Sequence, residues 1–316
     1  MLTCIGSPLL DIVVHVDREF LIRHGLEPDA AHAADGETLF NELQDLNAAY
    51  VCGGSVTNSV RVLKWLQPEA RVVYIGAIGA DTEGDFLIKK LTSVECDFQV
   101  DEIRRTGRCA VLVDGPTRTL YTDLGASTSL NLSHLQRPET LKKLNLTKFV
   151  YFSAFLLRAS KEYVDFLLDS GKQILFNLGA AFLCDLYPIE MTRIIKKSKV
   201  IFGNELELRA VGKMIKLYAD DCKELGGQVY KSLCEIDQIL VITRGERSAL
   251  VFAKQQMKEF AVEQVNNVVD TNGAGDAFVG GFLSNFIVNS PLEECMRLFA
   301  AGEIVQNVGC TFSNIS

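Results

Sequence analysis

The sequence predicts an α/β protein: a mostly parallel sheet with helices on both faces, plus a small β-rich lid. Three observations point there. Short β-branched runs alternate with amphipathic stretches through most of the chain. The runs are apolar, as strands covered by helices on both faces are. Two further segments carry strand patterns with no helix between them, which suits a small sheet outside the main domain.

The elements follow in order. Met1 to Asp11 is apolar but broken early by Gly6 and Pro8, and lacks the basic leader and small-residue cleavage site of a signal peptide. Ile12 to Val16 reads as a strand, followed by a polar, alanine-rich loop towards Cys52. Val72 to Ile75 is a strand and Glu83 to Leu91 a helix. Cys109 to Val113 and Thr119 to Asp123 form a hairpin around the turn Asp114-Gly115-Pro116. Strands at Phe149 to Phe152, Ile174 to Asn177, Val200 to Phe202 and Ile239 to Thr243 alternate with helices such as Lys161 to Leu168 and Leu225 to Leu233. Ser290-Pro291-Leu292-Glu293 reads as a helix start with a capping box. The chain divides into a large domain (1–8, 55–100 and 125–316) and a discontinuous lid (9–54 and 101–124).

Composition narrows the function. The 316 residues are 48% hydrophobic and 23% charged, ordinary for a globular chain. A formal charge of −8 argues against nucleic acid and membrane surfaces as partners, because both are polyanionic. No apolar run approaches the length of a membrane span. The 9 cysteines are odd in number, scattered and free of C-x-x-C pairs, which fits thiols in a reducing cytosol. A monomer is expected.

The chemistry concentrates at Asp270-Thr271-Asn272-Gly273-Ala274-Gly275-Asp276-Ala277-Phe278. A glycine-rich turn runs into a helix whose apolar face is Phe278, Phe282, Leu283 and Phe286. Gly273 and Gly275 allow backbone dihedrals that aim successive N–H groups at one spot, and the helix N-terminus adds partial positive charge there. Such a turn can hold charge developing on a transferring phosphoryl group, and Asp276 in the first helical turn can take a proton from an attacking hydroxyl. An acidic residue complementing a helix dipole is the plain structural alternative for a shorter version of this string.

The run Asp270 to Leu283 resembles the signature of the ribokinase family of carbohydrate and nucleoside kinases. Further pieces extend the likeness over nearly the whole chain: Gly6 to Ile12, Gly53 to Ser59, Arg118-Thr119-Leu120, Gly203 to Glu207, and Gly309 to Phe312. The resemblance implies a ribokinase-like fold, with ATP and Mg2+ as cofactors. It also implies transfer of the γ-phosphate to the 5′-hydroxyl of adenosine, a small-molecule nucleoside. Asp276 is then the base, with Gly273, Ala274 and Gly275 stabilising charge and Arg118 reaching the phosphate when the lid closes; a solvated surface arginine is the alternative.

Asp11, Gly53, Gly54 and Asn58 are implied to hold the sugar, with Ser7 and Phe155 completing the substrate site. Asn204, Glu207, Thr243, Arg244, Gly245 and Asn272 are implied on the ATP side. Glu207 is placed near magnesium, through water; Asn204 and Glu207 also fit a capping box, and both roles can hold together. The chain departs from the nucleoside members at Ser7, in the small-residue stretch Ala30-Ala31-His32-Ala33-Ala34, and at Gly179 and Ala181. All of these changes bear on base recognition. A sugar or broad nucleoside kinase and a non-catalytic nucleoside-binding protein are the competing readings. A nicotinamide oxidoreductase is disfavoured because Phe278 stands where the third glycine of G-x-G-x-x-G belongs, and the P-loop sequence G-x-x-x-x-G-K-[ST] does not occur.

Overall fold

The structure is a computed structural model that describes residues 1–115, 117–262 and 273–297. Among these the strands run, in chain order, β1 (Leu2–Ile5), β2 (Leu9–His15), β3 (Ala31–Ala33), β4 (Ala49–Gly53), β5 (Val72–Gly79), β6 (Glu95–Asp101), β7 (Arg108–Asp114), β8 (Thr117–Asp123), β9 (Phe149–Ser153), β10 (Gln173–Asn177), β11 (Ser198–Asn204), β12 (Ile239–Arg244), β13 (Arg247–Ala253) and β14 (Gln256–Phe260). Nine of them form one sheet in the order β14-β13-β12-β11-β10-β9-β1-β5-β6. All its pairings are parallel except β12–β13 and β13–β14, which are antiparallel. The mostly parallel α/β sheet expected from the apolar runs is present.

Alternation along these strands fills a core on each face. On β9, Val150 and Phe152 join one buried cluster while Phe149 and Tyr151 join the other. On β5, Val73, Ile75 and Ala77 point one way and Val72, Tyr74 and Ile78 the other. Helices cover both sides, as two apolar faces require.

The second sheet has the order β3-β8-β7-β2-β4. The segment between β2 and β4 is not the loop expected from composition. It holds the helices Arg18–Arg23 and Thr38–Leu43, the first capped by Asp17, whose Oδ1 accepts from the Phe20 N–H at 2.8 Å. Their Phe20, Leu21, Leu39, Phe40 and Leu43 bury against Leu10, Ile12, Val14, Ala110 and Leu112 on the outer face of this sheet. At six residues each, they are under two turns long and leave almost no periodicity to read.

The inner face of the small sheet presents a row fixed by register. Val51 pairs with Asp11, Asp11 with Cys109, Cys109 with Thr122, and Thr122 with Ala33. The helix Leu292–Cys295 begins near the expected place, but its cap is Pro291 and no side chain caps it. Ser290 stands one residue too early.

Candidate active site

Two helices position the site. Ser55–Leu66 follows Gly53-Gly54, and Ala274–Phe286 follows Gly273, whose φ of 79° is left-handed. They pack closely because Gly280 has no side chain: a Cβ there would lie 2.5 Å from the main-chain oxygen of Ser59. The first turns of both helices therefore meet. Ser55 Oγ donates to Asp276 Oδ1 at 2.6 Å, and Asn58 Nδ2 donates to Oδ2 at 3.1 Å. Ser59 Oγ donates to the Asp276 carbonyl at 3.0 Å and lies 3.1 Å from the Tyr151 hydroxyl. The carboxylate is held from both sides, beside amides that a helix start leaves without intrahelical partners.

Asp276 also stands between two cavities. One, of about 430 Å³, runs under the small sheet; Ser7, Asp11, Gly54, Asn58, Phe155 and Asp276 are among its walls. The other, of about 300 Å³, is lined by Asn204, Glu207, Thr243, Gly273, Gly275 and Asp276, among others. Both open at the carboxyl ends of the parallel strands, where ligands bind in sheets of this kind.

The first cavity is shaped by residues without side chains. A Cβ on Gly53 would fall on the Asp11 carboxylate, and one on Gly54, at φ 94°, would strike the Ser7 carbonyl oxygen. Asn58 is 8% exposed, and its Oδ1 is buried without a hydrogen-bond partner. An unpaired acceptor at that depth is costly, and a hydroxyl in the cavity would satisfy it.

Burial dominates the electrostatics. It pushes the Asp276 carboxyl up to about 6, against the pull of the bonds from Ser55 and Asn58. It pushes Asp11 up to about 7, with Arg61 pulling the other way and the charge of Asp276 adding to the rise. Glu207 also reaches about 7 through burial, opposed by the Asn204 N–H and helped by Asp276. Three carboxyls pushed upwards by burial, with the charge of Asp276 adding to the rise at the other two, form a site that gains from a nearby cation or hydroxyl donor.

Glu207 and Asn204 form the capping box that their spacing suggested. Asn204 Oδ1 accepts from the Glu207 N–H at 2.9 Å, while the Asn204 N–H and Nδ2 donate to the two Glu207 oxygens at 2.9 and 3.1 Å. Each oxygen keeps a lone pair for a further donor. Among the described residues no three His, Cys, Asp or Glu side chains cluster to enclose a metal. This donor set suits magnesium, which keeps its waters and binds through one or two carboxylates plus phosphate.

Other expected residues lie elsewhere. Arg118 is not among the cavity walls; its Nη1 donates to the carbonyls of Gly115 and Thr117 in its own turn, at 3.1 and 2.9 Å. Arg244 turns to Ser248, donating to its carbonyl at 2.7 Å and its Oγ at 2.6 Å, and neither it nor Gly245 lines the second cavity. Ala274 is the first residue of the helix. Asn272, Asp270, Thr271 and Gly309 to Phe312 lie outside the described residues. Ser55 and Ser59 received no role from the sequence, although Ser55 and Asn58 stand three apart on one helix face, where neighbours meet. Ala31, His32 and Ala33 of the small-residue stretch line the larger cavity, as does Arg158, which had no sequence signal.

The chain belongs to the pfkB carbohydrate kinase family, described as "pfkB family carbohydrate kinase", whose model matches residues 39–316. Adenosine kinases are among its relatives. It is 32% identical to adenosine kinase 1 of Arabidopsis thaliana over 97% of this chain and 94% of that protein. The structure of Anopheles gambiae adenosine kinase in complex with P1,P4-di(adenosine-5) tetraphosphate superposes with a TM-score of 0.89 at 32% identity, covering 98% of this chain and 96% of that one. Schistosoma mansoni adenosine kinase in complex with adenosine and AMP gives 0.89 at 27% identity, covering 99% and 97%.

Proposed function

We propose that the chain transfers the γ-phosphate of ATP to the 5′-hydroxyl of adenosine, giving AMP and ADP. One observation carries this reading: Asp276 faces both cavities at once, so a hydroxyl in one and a phosphate in the other share a single carboxylate. The ribose lies against Asp11 and Asn58, where the unpaired Asn58 Oδ1 accepts a sugar hydroxyl. Gly53 and Gly54 give the sugar room, and Ser7 and Phe155 flank the base.

Asp276 Oδ accepts the 5′-hydroxyl proton as that oxygen bonds to the γ-phosphorus and the bond to the β–γ bridging oxygen breaks. The amides around Gly273, Ala274 and Gly275, with Asn272 before them, stabilise the charge spreading over the phosphoryl oxygens. Asn204, Glu207 and Thr243 face the ATP phosphates. Glu207 would hold magnesium through water, and the ion would supply neutralising charge beside the phosphates. Arg118 reaches the phosphoryl group when the lid closes, which also excludes water. Arg244 and Gly245 shape the turn beside Thr243.

The eight described cysteines are free, which suits a reducing cytosol. No helix among the described residues is long and apolar enough to cross a membrane. The test is ADP release measured with and without Mg2+ across adenosine, other nucleosides, ribose and fructose. Mg2+-dependent turnover should be greatest with adenosine. Turnover of sugars without adenosine would point to a sugar kinase, and no ADP with any nucleoside to a binding protein.

A further inference from the structure

The larger cavity holds a second buried polar atom without a partner. Ser127 is 2% exposed, lines the cavity, and its Oγ makes no hydrogen bond. It belongs to the 3-10 turn Gly125–Thr128, which follows β8. The hydroxyls beside it are used locally: Thr128 Oγ1 donates to the Gly125 carbonyl at 3.0 Å, and Ser129 Oγ to the Ala126 carbonyl at 2.8 Å. Ser127 takes no part in that scheme. The cavity it lines has both apolar walls, Leu9, Leu124 and Phe155 among them, and polar ones such as Thr122 and Ser153, and none of them hydrogen-bonds the Ser127 Oγ. A hydroxyl buried there unpaired is costly unless a ligand meets it.

Its position fits one part of the ligand. Across the small sheet, Asp11 pairs with Cys109 and Cys109 with Thr122, so Thr122 stands two strand spacings, about 10 Å, from Asp11. With the ribose on Asp11, a purine extends along this row towards Thr122, and the Ser127 turn begins just past the end of that strand. We propose that Ser127 is a specificity-determining residue whose Oγ hydrogen-bonds a polar atom on the edge of the nucleobase. This rests on the nucleoside-kinase reading above and adds which hydroxyl reads the base.

The experiment compares the wild type with Ser127→Ala on adenosine and four analogues, each altered at one polar position: purine riboside and 1-deaza-, 3-deaza- and 7-deazaadenosine. Both kcat/KM and equilibrium binding without ATP are measured. In the wild type, one analogue should fall about 3- to 10-fold below adenosine through loss of the Ser127 bond. Ser127→Ala should lower adenosine by the same factor and abolish the gap for that analogue alone. Its thermal midpoint without ligand should be equal to or above that of the wild type, since a buried unpaired hydroxyl is removed. The proposal is overturned if all five substrates change by one factor, if none changes, or if the variant is clearly less stable, which would mean an internal partner. Failure of the wild type to bind or turn over any of the five would instead overturn the nucleoside-kinase reading.

Discussion

Ser55→Ala tests the link between geometry and proton transfer. Ser55 Oγ lies 2.6 Å from Asp276 Oδ1 and donates to the ionised carboxylate, lowering a pKa that burial has raised to about 6. A hydrogen bond to a charged group contributes about 1.5–3 kcal/mol, and about 1.4 kcal/mol is one pKa unit. Losing it should raise the Asp276 pKa by about one to two units. The base acts ionised, so activity is lost as pH falls through the pKa, and the acid limb of the rate profile should move to higher pH. For a one-unit shift the ionised fraction drops from about half to about one-tenth at pH 6, and from about nine-tenths to about half at pH 7. Turnover should therefore fall about fivefold at pH 6 and about twofold at pH 7, and stay near wild type at pH 9. Coupled ADP release from pH 5 to 9 reads this directly. A uniform loss with an unmoved acid limb would mean that Ser55 does not set the pKa of the base.

Gly53→Ala puts a methyl group on the Asp11 carboxylate; displacement of about 1 Å at such a site can cost about 10²-fold in nucleoside kcat/KM, with the ATP KM little changed. Glu207→Gln should raise the Mg2+ concentration giving half-maximal rate while leaving the adenosine KM unchanged, measured by magnesium titration. Asp97 is 8% exposed, and the His134 contact, helped by Lys143 and Thr140 bonds at 3.0 Å, holds its carboxyl well below the usual range. A depressed carboxyl stabilises above its unfolded value and loses that contribution as pH falls towards its folded value. Asp97→Asn should cost about 3 kcal/mol at pH 7 by denaturant unfolding, and less below about pH 4.

The middle of the nine-stranded sheet, β5 and β9 to β12, was legible because those strands are buried and announce themselves as apolar runs, whereas β1, β6, β13 and β14 were not read, and β14 (Gln256–Phe260) is almost wholly exposed. The hairpin of β7 and β8 was legible from Asp114-Gly115-Pro116, a turn signal of purely local origin. The helices Arg18–Arg23 and Thr38–Leu43 were not, because what makes them helical is burial against β2 and β7, a tertiary effect. In the site, Asp276 and the glycines around it could be read from one contiguous string. Ser55 and Ser127 could not: one acts across 221 positions of sequence, and the other matters only because nothing inside the protein meets its hydroxyl. Arg244 shows the converse, since its sequence context suggested phosphate while its guanidinium is engaged by Ser248.

Asp276→Asn asks whether this carboxylate is the base. The amide keeps the shape and a partner for Ser55 but cannot take a proton from the substrate. In this variant kcat should fall by at least about 10²-fold, with the adenosine dissociation constant changed only a few-fold and no loss of stability at pH 8, where the buried carboxylate is itself unfavourable. Turnover close to wild type, with adenosine still bound, would contradict it.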